Sequence, residues 1–363
     1  MILVVAFVLN DRYGGIDGDR TVKAAELLEN GEFQEFYDGS NPVLQDAVGG
    51  VGGLKAIWGK YAYGIGDFVQ VDRTDSSRSG TNTIAHAYCR HTDWGLLLTI
   101  TFGYDGRYVG LFFEYYEPDG CDPLPDGLIE TDVTVDAGTS HPLPGTLVSS
   151  VSSDREVAAV IVHGSGPNDR DGTIGANKPY RDLARGLAEK GIDVLTYDKR
   201  TKVYTQISQD PARSTVDDEV VDDASAAVRT LKEMGYGKVF VLGHSLGGML
   251  APYIAQQCGE MCDGFVSLAG SPRTITDILA DQLWAQYRQL PDAEAYRAYI
   301  DEELAKAESL ATMTDDERSS VTVFGLSGCY IWSLNSIDGI SIAESLDIPM
   351  LFLQVTISEF IAL

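Results

Sequence analysis

The sequence predicts an α/β protein, in which a small α+β domain precedes a doubly wound, mostly parallel sheet with a helical cap. Three observations support this. The length of 363 residues is enough for two domains of about 150 residues each. From Val157 onward, apolar runs of strand length alternate with amphipathic stretches at helical spacing, which is typical of a parallel sheet covered by helices. Before residue 118, helical patterns are followed by strand-like runs with short turns between them, which indicates a separate unit.

The first domain is expected over residues 1–118, with a cystatin-like or nuclear-transport-factor-like fold. Thr21–Asn30 has a helical apolar face that ends at Asn-Gly, and Asn41–Val48 is a second short helix. The glycine run Gly49–Gly53 lacks the Gly-Lys-Ser/Thr of a phosphate loop, so a flexible turn is the better interpretation. Four strands follow, with an Asp-Gly hairpin signal before the last: Asp67–Arg73, Thr83–Arg90, Trp94–Tyr104 and Arg107–Tyr115.

A linker is expected over residues 119–128, where proline, glycine and acidic residues are frequent. The second domain then covers residues 129–363. Its predicted strands and helices alternate along the chain, and the sheet is expected to be incomplete after the strand 348–354. The predicted strands and helices of this domain are Val157–Val162, Tyr180–Lys190, Ile192–Tyr197, Val216–Met234, Lys238–Leu242, Gly247–Gln257, Gly264–Leu268 and Ile348–Gln354.

A helix-rich, acidic segment at about 274–345 interrupts this alternation and is predicted to cap the carboxyl edge of the sheet. It carries four spaced aromatic residues, which form a helix core or line a pocket: Trp284, Tyr287, Tyr296 and Tyr299.

The charge balance excludes several classes of partner. With 54 acidic and 27 basic residues, the formal net charge is −27, which disfavours nucleic acid and anionic membrane surfaces. No apolar run reaches the ~18 residues of a membrane span. The apolar start Met1–Leu9 has neither a basic region nor a cleavage site. A cytoplasmic protein is therefore expected, and an exported protein with an incomplete signal segment at 1–9 is the alternative.

The five cysteines are scattered and odd in number, which argues against a disulfide framework. Cys258 and Cys262 are close enough in sequence to bridge in an oxidising compartment, but two free thiols near a helix end are favoured. No Cys/His cluster has zinc spacing.

The motif Gly243-His244-Ser245-Leu246-Gly247 carries the strongest chemical signal. It lies between an apolar strand and a predicted helix, which is the context that a Gly-x-Ser-x-Gly nucleophile requires. Small residues on both sides of the serine let the backbone turn tightly, and the amides at the helix N-terminus favour developing negative charge. The sequence therefore predicts Ser245 as a nucleophile, with the Leu246 amide as an oxyanion donor.

A second motif, His163-Gly-Ser-Gly-Pro167, follows an earlier strand. A loop here is expected to supply the second oxyanion amide from Ser165, with Gly164 giving it room. A turn without a chemical role is the alternative. His163 is expected to brace this loop, and His244 to point away from the pocket.

At these residues the chain resembles the α/β-hydrolase superfamily, and more narrowly the bacterial esterases near the serine aminopeptidase and dienelactone hydrolase branches. The first domain more weakly resembles the domain of unknown function that precedes such esterases. The resemblance covers about Ile129–Gln354 and rests on five segments: 163–171, 177–183, 197–200, 243–248 and 345–350. It implies attack by Ser245 on an ester carbonyl, with no cofactor and no metal.

The sequence departs from that family at the general base. The triad order is serine, acid, histidine, but all five histidines precede Ser245: His86, His91, His141, His163 and His244. Glu359 is a weak candidate for the acid. Three accounts stay open: a truncated or frame-disrupted hydrolase, a protein that evolved without catalysis, or a base from the first domain, His91 or His141.

The expected function is therefore a serine hydrolase of carboxylic esters with small acyl groups, whose activity in this chain is in doubt. The alternatives are a non-catalytic hydrolase-like protein that binds a ligand, and a serine peptidase or thioesterase. The expected partner is a small-molecule ester, and the sequence does not indicate an oligomeric state.

Overall fold

The computed structural model describes residues 15–118, 123–135, 141–175, 177–207, 210–290 and 292–354, with side chains described from residue 18. These residues form two compact units. The first ends at Pro123 and includes Ile174–Ala176, and the second comprises Leu124–Thr173 and the chain from Asn177 onward.

Four helices and an antiparallel sheet form the first unit. The alternating burial of β2 and β3 turns one sheet face toward the helices, as period-two patterning requires. Leu28, Phe36, Leu54, Leu96 and Ile100 lie in this core. The elements are α1 (Gly15–Glu29), α2 (Phe33–Asp38), α3 (Pro42–Ala47), α4 (Gly50–Tyr61), β1 (Phe68–Ser79), β2 (Asn82–His91), β3 (Gly95–Phe102) and β4 (Tyr108–Tyr116).

The composition of the glycine run predicted a flexible turn, and this prediction was wrong. Gly49 adopts the left-handed conformation (φ 71°) and is the N-cap of helix α4, whose first turn contains the remaining glycines. Burial of Leu54 and Trp58 holds this helix in place, so tertiary packing outweighs the low helix propensity of glycine.

A seven-stranded sheet forms the centre of the second unit, in the order β13-β10-β9-β7-β8-β6-β5. Strands β8, β7, β9, β10 and β13 run parallel, whereas β5 and β6 form an antiparallel extension. The predicted fold class is thus confirmed. The strands are β5 (Leu128–Val135), β6 (Leu143–Ser150), β7 (Val157–Val162), β8 (Asp193–Tyr197), β9 (Lys238–His244), β10 (Gly264–Leu268) and β13 (Met350–Leu353).

Helices cover both faces of this sheet. A π-helical turn at Asp217–Val221 precedes α7, within the stretch predicted as one continuous helix. The helices are α5 (Pro179–Ala188), α6 (Arg200–Val203), α7 (Asp222–Glu233), α8 (Leu246–Cys258), α9 (Ile275–Tyr287), α10 (Ala293–Ser309), α11 (Asp315–Arg318), α12 (Gly328–Asn335) and α13 (Gly339–Ser345). A two-stranded ribbon, β11 (Thr322–Val323) with β12 (Leu326–Ser327), lies between α11 and α12.

The aromatic residues of the predicted cap segment pack mainly on each other and on nearby charged groups. Tyr287 stacks on Tyr296 with ring centroids 4.1 Å apart, and Arg297 lies over the ring of Trp284. Tyr299 is 45 % exposed. These rings are therefore only partly buried.

The four cysteines in the described residues are free, buried thiols, including Cys258 and Cys262, so the interpretation as two thiols is confirmed. Cys121 lies outside the described residues. Among the helices that the structure describes, none is long and apolar enough to cross a membrane.

Candidate active site

Ser245 lies at the sharp turn between β9 and α8. Its backbone is in a strained, positive-φ conformation (φ 52°, ψ −112°), which residues other than glycine rarely adopt. The Ser245 amide donates to the carbonyl of Leu268 on the neighbouring strand at 2.8 Å, and its carbonyl accepts from the amide of Met249 at 2.8 Å. These two bonds fix the strained residue in place, as a preorganised nucleophile requires.

The glycines around Ser245 are required by close approaches of backbone. A Cβ on Gly243 would lie 2.1 Å from the carbonyl oxygen of Gly247. A Cβ on Gly247 would lie 2.5 Å from the carbonyl oxygen of Val162. Neither contact is possible without moving backbone, so these two positions require glycine for the turn to form.

The predicted oxyanion loop passes directly over this turn. The Gly247 amide donates to the carbonyl of His163 at 3.0 Å, and a Cβ on Gly164 would lie 3.3 Å from the Cβ of Ser245. Within the described part of the chain, the amides of Ser165 and Leu246 donate to no protein acceptor. Both amides that were predicted to be oxyanion donors are therefore free to donate a hydrogen bond to an oxyanion.

The neighbouring amide, that of Gly164, is occupied. It donates to the hydroxyl of Tyr180 at 3.2 Å, and the same hydroxyl lies 2.9 Å from Nδ1 of His244. Burial lowers the pKa of His244, so its ring is neutral at pH 7. Tyr180 and His244 thus hold the loop from the side of Gly164, and His244 is engaged away from Ser245.

His163 is almost completely buried, with 2 % of its surface exposed. Burial lowers its pKa to about 3, with the nearby Lys199 charge acting in the same direction. Its ring packs edge-on against Tyr180 and Tyr197. A neutral, enclosed imidazole packed between two rings is suited to supporting the loop rather than to exchanging protons with a substrate.

A cavity of about 460 Å³ opens beside the two free amides. Ser165 and Leu246 are among the residues that line it, and most of the lining is apolar. A volume of this size fits a small ligand. The other lining residues are Gly166, Pro167, Thr201, Glu219, Ile275, Leu279, Leu326, Tyr330 and Leu334. Trp284, Tyr287, Tyr296 and Tyr299 are not among them.

No histidine in the described residues hydrogen-bonds Ser245, and its Oγ has no hydrogen-bonded partner there. His91 is buried in the first unit and pairs with Glu29 at 3.1 Å. His141 packs on Tyr204 in the second unit, so assigning it to the first domain was wrong. Glu359 lies outside the described residues.

Sequence analysis missed a buried chain of polar groups beneath the oxyanion loop. Lys199 donates to the Gly164 carbonyl at 3.0 Å and forms an ion pair with Glu219 at 2.5 Å. Tyr330 lines the same cavity as Glu219, and burial together with the Glu219 charge raises the Tyr330 pKa. Lys199 lies in a segment that carries the family resemblance, which was the one available signal.

Among the described residues, the structure holds no group of three or more His, Cys, Asp or Glu side chains arranged for a metal ion.

Comparisons of the sequence with known proteins identify its family. The model of the family "Serine aminopeptidase, S33" matches residues 170–311. Esterase EstD from Thermotoga maritima is 36 % identical over 308 residues, which cover 83 % of this chain and 70 % of that protein.

Two solved structures were also compared with the chain. The proline iminopeptidase of Mycobacterium smegmatis has a TM-score of 0.40 at 18 % identity, over 61 % of this chain and 80 % of that one. Est1E from Butyrivibrio proteoclasticus has a TM-score of 0.38 at 14 % identity, over 61 % and 76 %.

The parallel sheet, the serine turn at the end of β9 and the loop after β7 define the α/β-hydrolase class. Within that class, the chain belongs to the bacterial esterase family that includes EstD. It is therefore a serine hydrolase of the carboxylic ester hydrolase type by family.

Proposed function

We propose that this chain hydrolyses carboxylic esters of small acyl groups, with Ser245 as the nucleophile and the amides of Leu246 and Ser165 as the oxyanion hole. The observation that carries the proposal is the strained turn at Ser245 beside two free amides and one cavity. Ser245 directly precedes Leu246, and Leu246 and Ser165 both line an apolar cavity. A serine next to two donor residues of one cavity suits acyl transfer better than simple binding.

The reaction begins when Oγ of Ser245 attacks the ester carbonyl. The carbonyl oxygen gains negative charge, which the amides of Leu246 and Ser165 stabilise because neither donates to another group of the described chain. The cavity of about 460 Å³ restricts the group that can lie next to the carbonyl. Collapse of this intermediate breaks the bond to the alcohol oxygen, which leaves as the alcohol with a proton that Ser245 lost through water. A second water molecule then hydrolyses the acyl-enzyme to the carboxylic acid and free Ser245.

Removal of the Ser245 proton determines how fast this reaction can be. All five histidines precede Ser245, and those nearest to it in the fold are neutral and engaged with Tyr180 or Tyr197. A serine without a base is a weak nucleophile, yet an oxyanion hole alone retains about 10³- to 10⁴-fold acceleration over water. We therefore expect slow turnover of activated esters.

Hydrolysis of a short-chain nitrophenyl ester tests the proposal, with Ser245→Ala and Ser77→Ala as the compared variants. Ser245→Ala should reduce the rate to background because the nucleophile is gone. Ser77 is exposed on β1 in the first unit, so the rate of Ser77→Ala should stay close to that of the unmodified chain. Equal rates for Ser245→Ala and the unmodified chain would refute the assignment of the nucleophile.

Among the described residues, no histidine hydrogen-bonds Ser245, and this observation favours one second candidate, a hydrolase-like protein that binds a ligand without turnover. Under this alternative, a short-chain carboxylate or ester should bind in calorimetry, whereas neither hydrolysis nor covalent labelling of Ser245 should occur. A bulky substitution in the cavity, Leu279→Trp, should then abolish binding.

A further inference from the structure

The Gly164 carbonyl accepts a hydrogen bond from the ammonium of Lys199 at 3.0 Å. This side chain is 2 % exposed, which is exceptional for lysine. Its charge is balanced by Glu219 at 2.5 Å, and Glu219 also lines the cavity beside Ser165. A buried ion pair costs desolvation energy, so its position next to the loop needs an explanation other than stability.

The accepting carbonyl and the predicted oxyanion donor belong to the same peptide unit. The C=O of Gly164 and the N–H of Ser165 lie in one plane and, in a trans peptide, point in opposite directions. A donor that holds the carbonyl therefore also sets the direction of the amide. A charged donor in addition polarises the peptide, which makes its N–H a stronger hydrogen-bond donor.

The other groups around the loop do not replace Lys199. Asn168 donates from Nδ2 to the carbonyls of Gly164, Ser165 and Gly166 at 3.0–3.2 Å, which closes the loop on itself. Tyr180 holds the preceding amide. Lys199 alone in this group brings a positive charge, and it connects the loop to the segment after β8.

The second oxyanion donor has a matching support. The carbonyl of Ser245 shares a peptide unit with the Leu246 amide, and it accepts from the Met249 amide at 2.8 Å. In both cases, the carbonyl of the peptide unit that contains the donor amide accepts a hydrogen bond. For Leu246 the first turn of a helix provides this, whereas Ser165 lies in a loop and requires a side chain.

We propose that Lys199 is the positioning residue of the oxyanion hole: its ammonium, neutralised by Glu219, holds and polarises the peptide unit whose N–H is that of Ser165. This inference rests on the proposed function and adds a residue to it. Tyr330 of α12 lines the cavity on the side of Glu219 and lies within reach of its charge.

The test compares Lys199→Met/Glu219→Gln with Lys202→Met. The double variant removes the ammonium without leaving a buried charge unpaired, and Gln can still contact Tyr330. Lys202 lies three positions further along the chain and is exposed, so its substitution controls for loss of a lysine in this segment. Active-site titration with a fluorophosphonate gives the fraction of competent enzyme in each preparation.

We expect kcat per titrated site for a nitrophenyl ester to fall about 10- to 100-fold in the double variant with KM unchanged, because an oxyanion donor acts only in the transition state. Lys202→Met should match the unmodified chain. Faster amide hydrogen exchange in the peptide covering 163–168 should accompany the loss. Unchanged kcat and unchanged exchange in a folded double variant would overturn the proposal.

A merely structural role would lower the titrated fraction and leave kcat per site unchanged, which also contradicts the proposal. If the unmodified chain is neither labelled nor active, the proposed function fails. Hydrogen exchange then decides the role of Lys199 separately: loss of protection confined to 163–168 supports positioning, and unaltered protection refutes it.

Discussion

Gly247→Ala should destabilise the second unit, because the added methyl has no room. The new Cβ would lie 2.5 Å from the carbonyl oxygen of Val162 and 2.7 Å from that of His163, against 3.4 Å for an ordinary contact. Backbone must therefore move by about 0.9 Å at the point where the oxyanion loop meets the serine turn. Overpacking of this kind costs about 1–3 kcal/mol, and a shift approaching 1 Å costs on the order of 100-fold in catalysis.

Urea denaturation followed by circular dichroism measures the loss of unfolding free energy, and nitrophenyl ester hydrolysis measures the loss of catalytic rate. Gly186→Ala is the matched control, because Gly186 is exposed in α5 and a Cβ there meets nothing within 4 Å. That control should be stabilised by about 0.5–1 kcal/mol through better helix propensity. If Gly247→Ala unfolds at the same urea concentration as Gly186→Ala, the close-approach argument for the serine turn is wrong.

Three further outcomes follow from the structure. Arg200→Met should cost about 3–5 kcal/mol because it leaves the buried Asp223 carboxylate without its partner, and adding Asp223→Leu should recover most of the loss, both measured by urea denaturation. His163 has a folded pKa of about 3 against 6.5 when unfolded, so its contribution is present above pH 6.5 and is lost as the pH falls, at up to about 1.4 kcal/mol per pH unit. The unfolding free energy of His163→Gln should therefore fall less steeply between pH 6 and pH 4 than that of the unmodified chain, and parallel curves would contradict the burial argument. Leu351 and Leu353 are each 50 % exposed on β13, the outermost strand of the described sheet, so replacing both with Glu should reduce light scattering on heating, and unchanged scattering would count against this strand as the site of association.

The serine turn could be predicted because its glycines appear at a fixed spacing in the sequence. Gly243 is required by a contact within the strand-turn-helix unit, whereas Gly247 is required by the close approach of Val162 and His163 from the neighbouring strand and its loop. The alternation of strands and helices after Val157 similarly follows from burial on both faces of a parallel sheet. Confirmation of the fold class and of the esterase family shows that these local signals were sufficient for the class of protein.

The remaining features depend on contacts between distant segments. The glycine run from Gly49 became helical because Leu54 and Trp58 are buried, which no local pattern in the run indicates. The support beneath the oxyanion loop brings Lys199, Glu219 and Tyr330 together from three separate parts of the chain. Sequence spacing carries no information about which distant residues lie close together in the fold, so these three residues were found only in the structure.

The central claim is that Ser245 is the nucleophile of a serine hydrolase, and the most direct measurement is the mass of the peptide that reacts with a fluorophosphonate. The account predicts one phosphonylated residue, Ser245, and complete loss of labelling in Ser245→Ala. Labelling at a different residue, or equal labelling of Ser245→Ala, would contradict it.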